Sequence, residues 1–180
     1  MLILSGSCST ATLGQIADVE SSFGPGSRMD VLRLLDDYKA EVERLHHEAT
    51  EGLRTRGWAL VYSSAGAEER RDASEAARER GCTPDVLSAA VESAHQELAR
   101  RAILAGGVRH IVVAGGETSG SVASALGLQA LEVDSVLDPG VPVLRPLDDG
   151  DLTVTFKAGN FGSPDFFSKA LRYLMGSTRP

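Results

Sequence analysis

Cysteine is scarce in this chain. Its two thiols, Cys8 and Cys82, stand far apart without a Cys-x-x-Cys partner, which argues against a disulfide framework or a zinc site. Positive charge is in deficit too. The formal net charge is -7, so a nucleic-acid partner, whose phosphates a binding surface must neutralise, is not expected. No apolar run reaches the length of a membrane span, and the first residues lack a basic segment followed by a signal-like apolar core. The expectation is a cytoplasmic chain with no membrane partner. His46 and His47 are adjacent and followed by Glu48, but the His-Glu-x-x-His spacing is missing. Neighbouring helical residues point about a hundred degrees apart, so the pair reads as surface and no metal ligands are assigned. Also absent are the Gly-x-x-x-x-Gly-Lys-Ser/Thr loop, the Gly-x-Gly-x-x-Gly turn, the protein-kinase catalytic loop and the Gly-x-Ser-x-Gly elbow.

What is present is an ordinary globular composition, 42% hydrophobic and 24% charged over 180 residues, enough for one well-buried domain. Residues 1–4, 58–64, 111–114, 128–133 and 152–156 read as strands, with a short one at 143–145. A buried strand at the first residue suggests a chain cut from a longer one, or one that begins unusually tightly. Leu32, Leu35, Tyr38, Val42, Leu45, Ala49 and Leu53 recur at helical spacing and predict one long amphipathic helix ending at Gly57. Residues 12–19 carry a weaker helical pattern, and 68–79 predict a solvated helix after a loop at 23–27 and a strand. Thr83-Pro84-Asp85 is a helix start, with a capping hydroxyl, a first-turn proline and an acid near the positive end. Leu87, Val91, Ala94, Leu98 and Ala102 form the buried stripe of that helix. His95 and Gln96 beside it read as structural or exposed, and His110 as a loop residue. Residues 139–142 predict a rigid turn and 148–151 a hairpin turn; a last helix over 164–175 follows Ser163 as its cap. The fold expected is α/β: a single domain with a mixed, mostly parallel sheet and helices packed on its faces.

Chemistry concentrates where strands give way to small residues. Ile111-Val112-Val113-Ala114 ends at Gly115-Gly116, and Thr118 or Ser119 can cap a helix that Gly127 stops. Glycines let a backbone approach a ligand, and helix-start N–H groups favour anions, so this is either a tight β-to-α turn or a phosphate cradle. Residues 5–10 and 157–162 repeat the pattern. In open α/β sheets ligands sit beyond the carboxyl ends of strands, so three loops sharing one edge would converge on one ligand. Lys157 is one of only three lysines. It either offsets phosphate charge or is a solvated strand-end residue.

Taken in order, Ser5-Gly6-Ser7-Cys8-Ser9-x-x-Thr12-x-x-Gln15-Ile16, Ala114-Gly115-Gly116-Glu117-Thr118-Ser119-Gly120, Pro139-Gly140-Val141-Pro142 and Lys157-x-Gly159-Asn160-Phe161-Gly162 with Asp165-Phe166-Phe167 run over nearly the whole chain. This series resembles the C-terminal nucleotide-binding domain of the four-carbon acid sugar kinases. The resemblance implies ATP and Mg²⁺ as cofactors, and phosphorylation of a tetronate or oxo-tetronate on its terminal hydroxyl. It implies that residues 1–180 are the C-terminal part of a two-domain kinase, with the acid sugar held mainly by an N-terminal domain. It places nucleotide contacts on Ser7, Ser9, Gly115, Gly116, Glu117, Thr118 and Gly159, beside Lys157. Two positions depart from the pattern: Ala158 stands where the family often has serine, and Val143 where an aromatic is common. No catalytic base is evident in these residues. A homo-oligomer is compatible with this reading. The alternatives are a stand-alone, non-catalytic nucleotide-binding module, and a small hydrolase using Thr118 beside Glu117.

Overall fold

The computed structural model describes residues 1–148 and 151–176. In chain order the elements are β1 (Leu2–Ser5), α1 (Thr10–Phe23), β2 (Ser27–Arg28), α2 (Val31–Asp36), α3 (Tyr38–Arg56), β3 (Ala59–Tyr62), α4 (Ala67–Glu79), α5 (Pro84–Leu104), β4 (His110–Ala114), α6 (Gly116–Ala125), β5 (Leu131–Asp138), β6 (Val141–Pro146), β7 (Thr153–Lys157) and α7 (Phe166–Gly176). Among the described residues the strands form one sheet in the order β2-β3-β1-β4-β7-β6-β5. The first five strands of that order are mutually parallel, whereas β6 runs antiparallel to β7 and β5 antiparallel to β6. This is the mixed, mostly parallel α/β sheet expected.

β1 is buried along its whole length, because helices cover both faces of the sheet. Successive strand side chains point to opposite faces. Leu2, Leu4, Ile111 and Val113 accordingly join a core with Val42, Leu45, Ala94 and Leu98 of α3 and α5. Ile3, Val112 and Ala114 join another with Ile16 and Val19 of α1 and Phe166, Phe167 and Leu171 of α7. Among the described residues no helix is long and apolar enough to cross a membrane.

Several elements depart from the sequence expectation. The predicted long helix is two helices, broken at Asp37. That residue leaves helical geometry at φ -151° and accepts a hydrogen bond from Ala40 N, capping α3. Gly57 ends α3 as expected, in the left-handed region at φ 78°. Ser27 and Arg28, read partly as loop, add a short parallel edge strand beside β3. His110 is the first residue of β4, and its Nδ1 meets Thr153 Oγ1 on β7 at 2.7 Å. β5 begins three residues later than expected and continues to Asp138, and Val141 and Pro142, read as turn, already belong to β6. α7 starts at Phe166 rather than residue 164. Ser163 does not cap it through its side chain; its Oγ lies 2.9 Å from Asp138 Oδ2 and 2.8 Å from Asp165 Oδ1, with one hydrogen to share between them. Asp149 and Gly150 of the expected hairpin turn lie outside the described residues.

Candidate functional site

Parallel pairing places Ser5 beside Ala114, and Ala114 beside Lys157. The loops leaving β1, β4 and β7 therefore start side by side on one edge of the sheet. They are also tied to each other. Gly6 N and Ser7 N both donate to Ala114 O, at 3.0 and 3.1 Å, and Gly115 N donates to Lys157 O at 2.9 Å. All eight residues expected to hold a cofactor lie within this knot.

Ser9 is the N-cap of α1: its Oγ accepts from Thr12 N at 3.2 Å and donates to Gly159 O at 2.6 Å. Ser7 Oγ lies 3.0 Å from Thr12 Oγ1 and 3.3 Å from Ser9 Oγ. Gly159 packs flat on this pair, since a Cβ there would stand 2.8 Å from Ser7 Oγ and 3.2 Å from Ser9 Cβ. Only glycine fits that approach.

The helix after β4 begins earlier than expected. Gly115, not Thr118 or Ser119, is the N-cap of α6, held at φ 122° where a side chain is strained, and it offers no side chain to the first-turn N–H groups. A Cβ at Gly116 or Gly120 would meet nothing within 4 Å, so space opens around this helix start. Glu117 is exposed in the first turn. Thr118 points the other way. It is 2% exposed, and its Oγ1 donates to Glu92 Oε1 of α5 at 3.0 Å. The Thr118 hydroxyl is thus engaged inside the protein, while its backbone N–H belongs to the first turn of α6.

Lys157 corrects the picture of a solvated strand-end lysine. It is 1% exposed, and its Nζ donates to Thr12 Oγ1 and Gly159 O, each at 2.9 Å, and to Ala158 O at 3.3 Å. Burial pulls its pKa down to about 8.

Three participants were missed as site residues. Thr12 and Gln15 are fully buried on the same stripe of α1 as Ile16 and Val19. Two polar residues at i and i+3 on an apolar stripe are a readable signal, because buried polar groups need partners. Gln15 Nε2 donates to the carbonyls of Phe161, Gly162 and Ser163 at 3.2, 3.2 and 2.9 Å. Glu92 had no such signal, being one of three acids on α5 with nothing in its spacing to set it apart. Beside the knot a cleft of about 480 Å³ runs between α4 and α5, lined by Gly6, Cys8, Ser63, Ser88, Glu92 and Glu117 among others. Among the described residues no three His, Cys, Asp or Glu side chains gather as a metal cage.

A mixed, mostly parallel α/β sheet with three interlocked glycine- and serine-rich loops at its carboxyl edge and an uncapped helix start has the features of α/β domains that bind phosphate groups. Residues 2–167 match the nucleotide-binding C-terminal domain family, and the chain belongs to that family. It is 38% identical over 176 residues to a 3-oxo-tetronate kinase of Pseudomonas savastanoi pv. phaseolicola, covering 98% of this chain and 39% of that protein. It is 41% identical over 171 residues to a 3-oxo-tetronate kinase of Methylobacterium radiotolerans, covering 93% and 38%. Among solved structures, a Haemophilus influenzae protein superposes with a TM-score of 0.84 at 28% identity, over 94% of this chain and 39% of that one. The chain therefore spans well under half the length of these relatives.

Proposed function

We propose that this chain is the ATP-binding part of a kinase that phosphorylates a four-carbon acid sugar, a tetronate or oxo-tetronate, on its terminal hydroxyl. The observation that carries the reading is the knot of three loops around the open start of α6. Phosphoryl transfer asks a protein mainly for position and for donors aimed at developing charge. The backbone N–H groups of Gly116, Glu117 and Thr118 supply such donors, with Gly159 across the gap. The cleft beside Gly6 and Glu117 has the size usual for small-molecule sites and suits the rest of the nucleotide. Residue chemistry fits a bound Mg²⁺ only lightly: Glu117 is the carboxylate that would hold it, through water, or would instead bond the ribose or a backbone group. When bound, the ion neutralises charge on the phosphates.

The names of the relatives support this substrate class, and the 39% and 38% of their length covered here leave room for a second domain. The acid sugar and the base acting on its hydroxyl belong to an N-terminal domain in this reading. Calorimetric titration should show Mg·ATP binding by this chain. Coupled assays should show no tetronate phosphorylation until an N-terminal domain from a relative is added. Efficient turnover by the chain alone contradicts the division of labour; binding without turnover when the second domain is present favours a non-catalytic module.

A further inference from the structure

We propose that Lys157, Thr12 and Gln15 are positioning residues of the nucleotide site: they hold the carbonyl oxygens of the 158–163 turn inward and so aim the N–H groups of Gly159 and Asn160 outward as a phosphate receptor. The proposal rests on the nucleotide-binding reading and deepens it, because it assigns Lys157 to the turn rather than to the phosphate.

Peptide geometry sets the direction of these groups. No described peptide bond is cis, and in a trans peptide the C=O of one residue and the N–H of the next point to opposite sides. Lys157 Nζ takes the carbonyls of Ala158 and Gly159 at 3.3 and 2.9 Å. Ser9 Oγ and Thr12 Oγ1 reach the same Gly159 oxygen at 2.6 and 2.9 Å. Beyond Asn160, Gln15 Nε2 shares its two N–H bonds among the carbonyls of Phe161, Gly162 and Ser163. With these oxygens turned toward α1, the N–H groups of Gly159, Asn160, Gly162 and Ser163, which follow the carbonyls of Ala158, Gly159, Phe161 and Gly162, turn away from it; the Ser163 carbonyl precedes Pro164, which has no N–H. One end of the turn already shows the result. Ser163 N, which follows the Gly162 carbonyl, donates to the Asp138 carboxylate at 2.8 Å, so an amide set in this way already holds an anion. At the other end Gly159 packs on Ser7 and Ser9 of the serine loop, and the carbonyl of Lys157, two residues before it, accepts from Gly115 N at the start of α6. Successive N–H groups of this kind form an anion-binding concavity. Lys157 meanwhile has acceptors for its three N–H bonds inside the protein, and would have to leave them to touch a ligand.

The substitutions Lys157→Met and Gln15→Met separate position from charge, since Gln15 is neutral. Mg·ATP affinity is measured by calorimetry, amide shifts of Gly159 and Asn160 by NMR, and melting temperature by calorimetric scan. Both variants should bind Mg·ATP about tenfold or more weakly. Both should lose the ligand-induced shifts at Gly159 and Asn160 while melting within about 5 °C of the wild type. Thr12→Val replaces Gln15→Met as the neutral variant should the latter not fold. Wild-type affinity in the neutral variant, with loss only in Lys157→Met, means that the lysine acts by its charge and overturns the proposal. Wild-type affinity in both overturns it as well. A wild-type chain that binds no Mg·ATP removes the nucleotide reading itself, and this proposal with it.

Discussion

At Gly159 the distance between two loops is set by a hydrogen atom. A methyl group there meets Ser7 Oγ at 2.8 Å and both Cβ and Oγ of Ser9 at 3.2 Å, and those serines are fixed by Thr12. Gly159→Ala should lower stability by about 1–3 kcal/mol, as overpacking does. It should also weaken Mg·ATP binding by about tenfold, both measurable by urea titration and calorimetry on one sample. His95 gives a pH-dependent effect. Its ring is fully buried, with Nδ1 against Val91 O at 3.0 Å, and burial lowers its pKa from 6.5 to about 4. Between those values the unfolded chain binds the extra proton. Stability from this residue is thus fully present above pH 6.5 and declines as pH falls, by up to about 3 kcal/mol at pH 4. Urea midpoints at several pH values should show that slope, and His95→Met should flatten it. The sequence named the loop residues but not which of their atoms faces a ligand. Thr118 turns its hydroxyl inward because Glu92, 26 residues earlier on α5, waits there. Lys157 is buried because α1 closes over it. Spacing along a chain carries neither fact.

The break between α2 and α3 shows what periodicity hides. The stripe from Leu32 to Leu53 continues in helical phase across Asp37, yet α2 buries Leu34 rather than Leu32 or Leu35, so the helix axis turns there. Asp30 and Asp37 are both N-caps, and the second was the legible sign of a new helix. Asp37→Ala should cost about 1 kcal/mol through the lost bond to Ala40 N, seen as a lower urea midpoint at unchanged slope. Glu41 secures the same corner. Fully buried, it accepts from Asp30 N at 2.8 Å and Arg44 Nε at 2.9 Å. Glu41→Ala should destabilise by about 2 kcal/mol, because it strips a buried backbone N–H and a guanidinium of their acceptor. Helix starts and stops that rest on local chemistry were readable: Thr83-Pro84-Asp85 caps α5 through Val86 N, and Gly57 closes α3. The mixed sheet was expected too, and β6 pairs antiparallel with its chain neighbours β5 and β7; what was not readable was how far β5 and β6 extend, since their pairing runs up to Asp138 and Val141 on either side of Pro139-Gly140.

For the whole molecule, the α/β class and the single sheet followed from apolar runs alternating with helical stripes. The meeting of residues 5–10, 115–120 and 157–162 followed only on the assumption that their strands run parallel and adjacent, which the order β1-β4-β7 satisfies. The central claim is that this shared edge grips a polyphosphate. A crystal structure with Mg²⁺ and a non-hydrolysable ATP analogue tests it most directly. The account predicts phosphate oxygens within hydrogen-bond distance of backbone N–H groups at the start of α6 and in the turn around Gly159. An analogue bound between α3 and α5 at the opposite edge, with all three loops untouched, would contradict it.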